Sequence, residues 1–107
     1  MPELLRYSTA IGLEPVSEWM NTLSDKLAQA RIRIRLKALT AGNFGDCKSV
    51  GEGVLELRIH VGAGYRVYCG RYGEDFILLL CGGDKRSQES DIRRAKAMWT
   101  EWKERQK

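Results

Sequence analysis

Gly53-Val-Leu-Glu-Leu-Arg-Ile-His-Val-Gly-Ala-Gly-Tyr-Arg-Val-Tyr-Cys69 decides the fold, because it reads as two strands of period two joined by a glycine-rich turn. In the first strand Leu55, Leu57, Ile59 and Val61 fall on one side and Glu56, Arg58 and His60 on the other. In the second, Tyr65, Val67 and Cys69 share one side, and Arg66 and Tyr68 take the opposite one. A hairpin closed through Gly62-Ala63-Gly64 brings Arg58, His60, Arg66 and Tyr68 onto one solvent-facing surface. Such a surface suits a polyanion.

The β signal continues on both sides of the hairpin. Cys47 to Val50 reads as a short strand, the hairpin strands span 54–61 and 65–72, and the apolar run from Asp75 to Cys81 fits a central strand buried on both faces. Near the start, Glu3 to Ser8 reads as a short first strand that Gly12 breaks. Pro15 then opens a helix, since its missing N–H costs nothing in the first turn, and Val16, Trp19, Met20 and Leu23 repeat at helical spacing. Ser24-Asp25 ends this helix and caps the next, Lys26 to Ala41, so a helical hairpin is expected.

Inside that second helix Arg31-Ile-Arg-Ile-Arg-Leu36 alternates like a strand. The helix formers around it and the stop at Gly42-Asn43 favour helix. Ile32, Leu36 and Leu39 form an apolar stripe widened by Leu27, Ile34 and Ala38. Arg31, Arg33, Arg35 and Lys37 fan around the rest, either as a solvated face with stems on the core or as a binding face. Ser87 or Ser90 caps a final helix whose Ile92, Ala95, Met98, Trp99 and Trp102 seal it against the sheet.

At 107 residues the chain is expected to be one domain. Eighteen Lys and Arg against fourteen Asp and Glu give a net charge of +4, which admits nucleic acid as a partner class without proving it. Five of the cations lie between Lys26 and Lys37, with no acid among them. Cys47, Cys69 and Cys81 lack metal-ligand spacing and read as reduced thiols. The longest apolar runs are too short to span a bilayer, and the N-terminus lacks the apolar core of a signal peptide, so a cytoplasmic chain is expected.

One loop remains, Cys81-Gly-Gly-Asp-Lys-Arg-Ser-Gln88. Its glycines permit either a turn or a close backbone approach, and Lys85 and Arg86 project charge from the strand end, a geometry able to hold a phosphate. With Arg58 and Arg66 they outline a cationic site built from three sheet segments.

Taken in order, the segments Glu14-Pro-Val-Ser-Glu-Trp-Met20, Ala30-Arg-Ile-Arg-Ile-Arg-Leu36, Gly42-Asn-Phe-Gly-Asp46, Gly53-Val-Leu-Glu-Leu-Arg-Ile59, Gly64-Tyr-Arg-Val-Tyr68 and Leu79-Leu-Cys-Gly-Gly-Asp-Lys85, with Gln88, Asp91-Ile92 and Ala95, resemble the RelE/ParE toxin superfamily. The likeness is nearest to its HigB-like branch, the phage-derived addiction-module killer proteins, and covers nearly the whole chain. The resemblance implies an α+β fold in which an N-terminal helical hairpin packs on a small, mostly antiparallel curved sheet, completed by a C-terminal helix. It implies the toxin of a type II toxin-antitoxin module, an endoribonuclease that cuts mRNA on the ribosome and uses neither cofactor nor metal. Its implied partners are a helix-turn-helix, HigA-like antitoxin and, through the complex, operator DNA; no membrane is involved.

The RNA 2′-hydroxyl then attacks the adjacent phosphate, which requires a proton acceptor, stabilisation of a dianionic phosphorane and protonation of the leaving 5′ oxygen. The matching positions are Arg58 and Arg66 for transition-state stabilisation, Lys85 for phosphate binding or proton transfer, and Arg86 for RNA positioning. His60, the one histidine, is either the general acid or base or a structural exposed side chain. Tyr68 either contacts a base or is structural, and Arg33 and Arg35 complete the expected RNA-binding set. Several ribonucleolytic relatives carry an acid/base Tyr or His near the C-terminus, whereas this chain has neither after Tyr72. The same superfamily includes ParE-like toxins that bind and inhibit DNA gyrase without catalysis, which is the alternative expectation.

Overall fold

A computed structural model describes residues 2–107. Its elements run β1 (Glu3–Arg6), α1 (Pro15–Thr22), α2 (Lys26–Leu39), β2 (Cys47–Gly51), β3 (Val54–Ile59), β4 (Tyr65–Tyr72), β5 (Phe76–Gly83), a 3-10 turn (Lys85–Ser87) and α3 (Gln88–Arg105). The strands form one sheet in the order β1-β5-β4-β3-β2. Neighbours from β2 to β5 are antiparallel, but β1 runs parallel to β5, from Glu3 opposite Phe76 to Arg6 opposite Leu79.

This corrects the expected architecture. The chain opens with a strand rather than with a helical hairpin, and the sheet is a mixed one with helices on both faces. The cause lies in β5, whose apolar side chains are buried on both faces and whose backbone needs a partner on each edge. β4 supplies one edge and the short Glu3–Arg6 segment the other.

Strand alternation divides the core. Leu57, Ile59, Val67, Ile77 and Leu79 pack with Val16 and Met20 of α1 and Ile32, Leu36 and Leu39 of α2. On the other face Val54, Tyr68, Leu78, Leu80 and Cys81 pack with Ala95 and Trp99 of α3. The Asp25 side chain caps α2 by accepting from the Ala28 N–H at 3.1 Å. Within α2, Ile32 and Leu36 are buried one turn apart, while Leu27 and Ile34 are exposed and do not widen the stripe. Burial pushes the Cys69 and Cys81 thiols up to about 12, and all three cysteines are free.

A bulge interrupts the central pairing. Tyr68 lies opposite Cys81 and Cys69 opposite Leu79, so Leu80 has no partner of its own. Leu80 and Cys81 therefore both belong to the α3 side, and the phase of the strand end is reset. Gly82 then lies under the Trp19 ring of α1, and Gly83 lies against the Asp91 carboxylate of α3. A β-carbon at either glycine would collide with these groups, so both positions serve close approach within the strand rather than a turn. Among the described residues no helix is long and apolar enough to cross a membrane.

Candidate functional site

Arg58 of β3 and Arg66 of β4 stand directly opposite one another. Like charges in this relation repel, and the chain gives each arginine its own carboxylate. Arg58 Nη2 meets Asp46 Oδ1 at 3.2 Å, and Arg66 Nε lies 3.7 Å from Glu56 Oε2. The pair lines a cleft of ≈ 280 Å³ together with His60 and Lys85. The four residues expected to act on the phosphate are thus brought to one place.

His60 bonds Asp46 Oδ2 through Nε2. That hydrogen bond, opposed by a smaller desolvation effect and helped by the charge of Arg58, holds the Asp46 carboxyl below the usual carboxylate range. A carboxylate ionised at neutral pH only accepts hydrogen bonds, so the His60 Nε2 carries the hydrogen and a neutral ring presents Nδ1 as an acceptor. The His60 side chain is 75% exposed, so the imidazole is open to solvent. Lys85 is also exposed and makes no ion pair among the described residues. The Nε atoms of both Arg58 and Arg66 are buried without a hydrogen-bond partner, leaving these guanidinium groups with more donors than acceptors around them.

Beneath Arg66 lies a buried network. Glu56 is 1% exposed. Its Oε2 accepts from the Tyr68 hydroxyl at 3.0 Å and from the Gln88 side-chain amide at 2.9 Å. Tyr68 is 0% exposed, which corrects its expected place on a solvent-facing surface: α3 roofs that part of the hairpin. Burial, then the facing Glu56 charge, raises the Tyr68 phenol above its ordinary value, so it stays a hydrogen-bond donor. Neither stacking on a base nor proton transfer is open to it.

The remaining expected residues scatter. Arg35 donates to the carbonyls of Arg58 at 2.6 Å, Phe44 at 2.9 Å and Asp46 at 3.0 Å, so it clamps the Asp46 loop onto β3. Arg33 points elsewhere, into a cleft it shares with Arg6 and Lys37. Their divergence follows from placing alternate residues of one helix about 200° apart. The Arg86 side chain is 90% exposed and pairs with Asp84 at 3.0 Å, outside the central cleft. The hydrogen bond from Arg86 holds the Asp84 carboxyl below the ordinary range.

Sequence reasoning missed Asp46, Glu56 and Gln88 as parts of the site. The available signal was Glu56 itself, an acid between Leu55 and Leu57, two positions before Arg58 and on the same face of the strand. A protein of Haemophilus influenzae, described as an uncharacterized protein, is 49% identical to this chain over 80 residues, covering 75% of this chain and 81% of the relative. No family model matches the chain.

Proposed function

We propose that this chain, which belongs to the same family as the Haemophilus influenzae protein, is an endoribonuclease toxin that cuts mRNA on the ribosome. The observation that carries the reading is the convergence of Arg58, Arg66, Lys85 and His60 in one cleft, with Asp46 orienting the imidazole. In the sheet order Arg66 on β4 lies between β5, whose end leads to Lys85, and β3, which carries Arg58 and leads to His60. A phosphodiester held by the arginines is then flanked by an acceptor on one side and a cation on the other.

The His60 Nδ1 accepts the 2′-hydroxyl proton as the 2′ oxygen attacks phosphorus. Arg58 and Arg66 stabilise the dianionic phosphorane, and Lys85 gives charge and a proton to the departing 5′ oxygen as the P–O5′ bond breaks. The products are a 2′,3′-cyclic phosphate and a 5′-hydroxyl. This assignment supplies proton transfer without a Tyr or His in the C-terminal segment, where the chain has none. The sequence resemblance supports the remainder of the reading: cytoplasmic action, restraint by a helix-turn-helix antitoxin, and operator DNA bound through that complex.

The test is to induce the wild-type protein and Arg66→Ala, map mRNA 5′ ends, and assay gyrase supercoiling in parallel. The expected result is new 5′ ends within translated codons, formed about 10²- to 10³-fold more slowly by a folded Arg66→Ala protein, as for a lost oxyanion donor. Intact mRNA with blocked supercoiling would overturn the enzymatic reading in favour of a gyrase-binding toxin.

A further inference from the structure

Ile34 is 66% exposed on α2 and stands outside both core clusters. With Ile59 and Val61 it gives the apolar part of a groove of ≈ 300 Å³ that Arg31, Arg35 and His60 also line. Ile59 and His60 also line the cationic cleft, so the groove and the cleft share a wall at the end of β3. Among the described residues no acid lines either one; Asp46 and Glu56 pair with the lining Arg58, His60 and Arg66 without entering the lining.

We infer that this groove is a nucleobase subsite, taking an unpaired base of the strand whose phosphate occupies the cleft; the inference rests on the RNA reading given above. A base joins flat apolar faces to a polar edge and is tethered to a phosphate. The groove matches each part. Its apolar lining is aliphatic, and Arg31, which has no ion pair among the described residues, adds a guanidinium. The Arg35 guanidinium is held by three backbone carbonyls and His60 is held by Asp46, so two walls are preorganised. Stacking on such a surface is tolerant of sequence, since every base has two faces. The absence of lining acids and the continuity with the arginine pair favour a polyanion's base over an apolar side chain of a protein partner.

The test uses short 2′-O-methyl oligonucleotides, which cannot be cut because the nucleophile is blocked, in base-bearing and abasic forms of equal length and charge. Binding is read by fluorescence anisotropy at low salt for the wild-type protein and for Ile34→Ser, a neutral change at an exposed helix position, with circular dichroism to verify the fold. The wild-type protein is expected to bind the base-bearing strand about tenfold more tightly than the abasic one. Ile34→Ser should lose most of that preference and keep its affinity for the abasic strand. Equal wild-type affinity for both strands would overturn the subsite alone and leave the groove to another occupant, as would full preference in Ile34→Ser. Binding of neither strand would remove the RNA reading of the cleft and the subsite with it.

Discussion

Removing Glu56 should unsettle the site from below, and the structure sets the size of the effect. The carboxylate is buried, accepts two hydrogen bonds, and faces Arg66, whose side chain is only 12% exposed. Glu56→Ala leaves the Tyr68 hydroxyl and the Gln88 amide without their acceptor, at about 1–3 kcal/mol each. It also leaves Arg66 without its counter-charge, and breaking a buried pair costs about 3–5 kcal/mol. These terms overlap, so about 3–5 kcal/mol is expected in total. Glu56→Gln keeps a carbonyl oxygen for both donors but makes two charge-assisted bonds neutral, which should cost roughly 2 kcal/mol. Urea denaturation with an unchanged m value measures both. The double variant Glu56→Ala/Arg66→Ala should cost at least ~1 kcal/mol less than the sum of the single changes, because the partners touch. A Glu56→Ala protein within about 1 kcal/mol of wild type, or additive single and double variants, would refute the counter-charge role.

Two further outcomes follow from the packing and the charges. Trp99, 3% exposed and stacked on Trp102 with centroids 5.6 Å apart, closes the α3 face of the sheet, so Trp99→Ala should lower stability by about 3–5 kcal/mol in the same urea assay. The folded Asp46 carboxyl sits below its ordinary value of 3.8, so its stabilising effect is full above that pH and is lost as pH falls through the lower folded value. Thermal melts of wild type and Asp46→Asn should therefore differ near neutrality and converge in acid; a gap that persists unchanged below that window would break the assignment.

The hairpin was legible because its apolar residues keep a strict period of two, and β4 forms over Tyr65–Tyr72 as that period requires. The core position of Trp99 was legible for the corresponding reason in a helix, its spacing from Ala95. Alternation does not say whether the second face of a strand meets water or another element. Tyr68 was placed in solvent on that ground, whereas α3 covers it. Likewise the sequence does not show that the first strand pairs in parallel with the last, since that contact joins segments about 70 residues apart. Arg58, Arg66 and Lys85 could be found because they lie at strand positions or strand ends. The Glu56–Gln88 bond, across 32 positions, carries no local signal.

The bulge at Leu80 connects these features. A shift of one residue exchanges the faces of a strand, and here it turns Gly83 toward α3 at the point where β5 lies beside Arg66. The bare glycine admits the Asp91 carboxylate, which accepts from the Ser87 hydroxyl at 2.5 Å and so fixes the first turn of α3 against the sheet. With that turn fixed, Gln88 reaches Glu56, whose Oε2 lies 3.7 Å from Arg66 Nε. The orientation of an arginine on β4 is thereby tied to the start of a helix on another layer. Asp46, clamped by Arg35, does the same for Arg58 from the α2 side. Each guanidinium is held by a carboxylate anchored in a different helix-sheet contact, which lets two like charges share one cleft, while Lys85 makes no ion pair among the described residues.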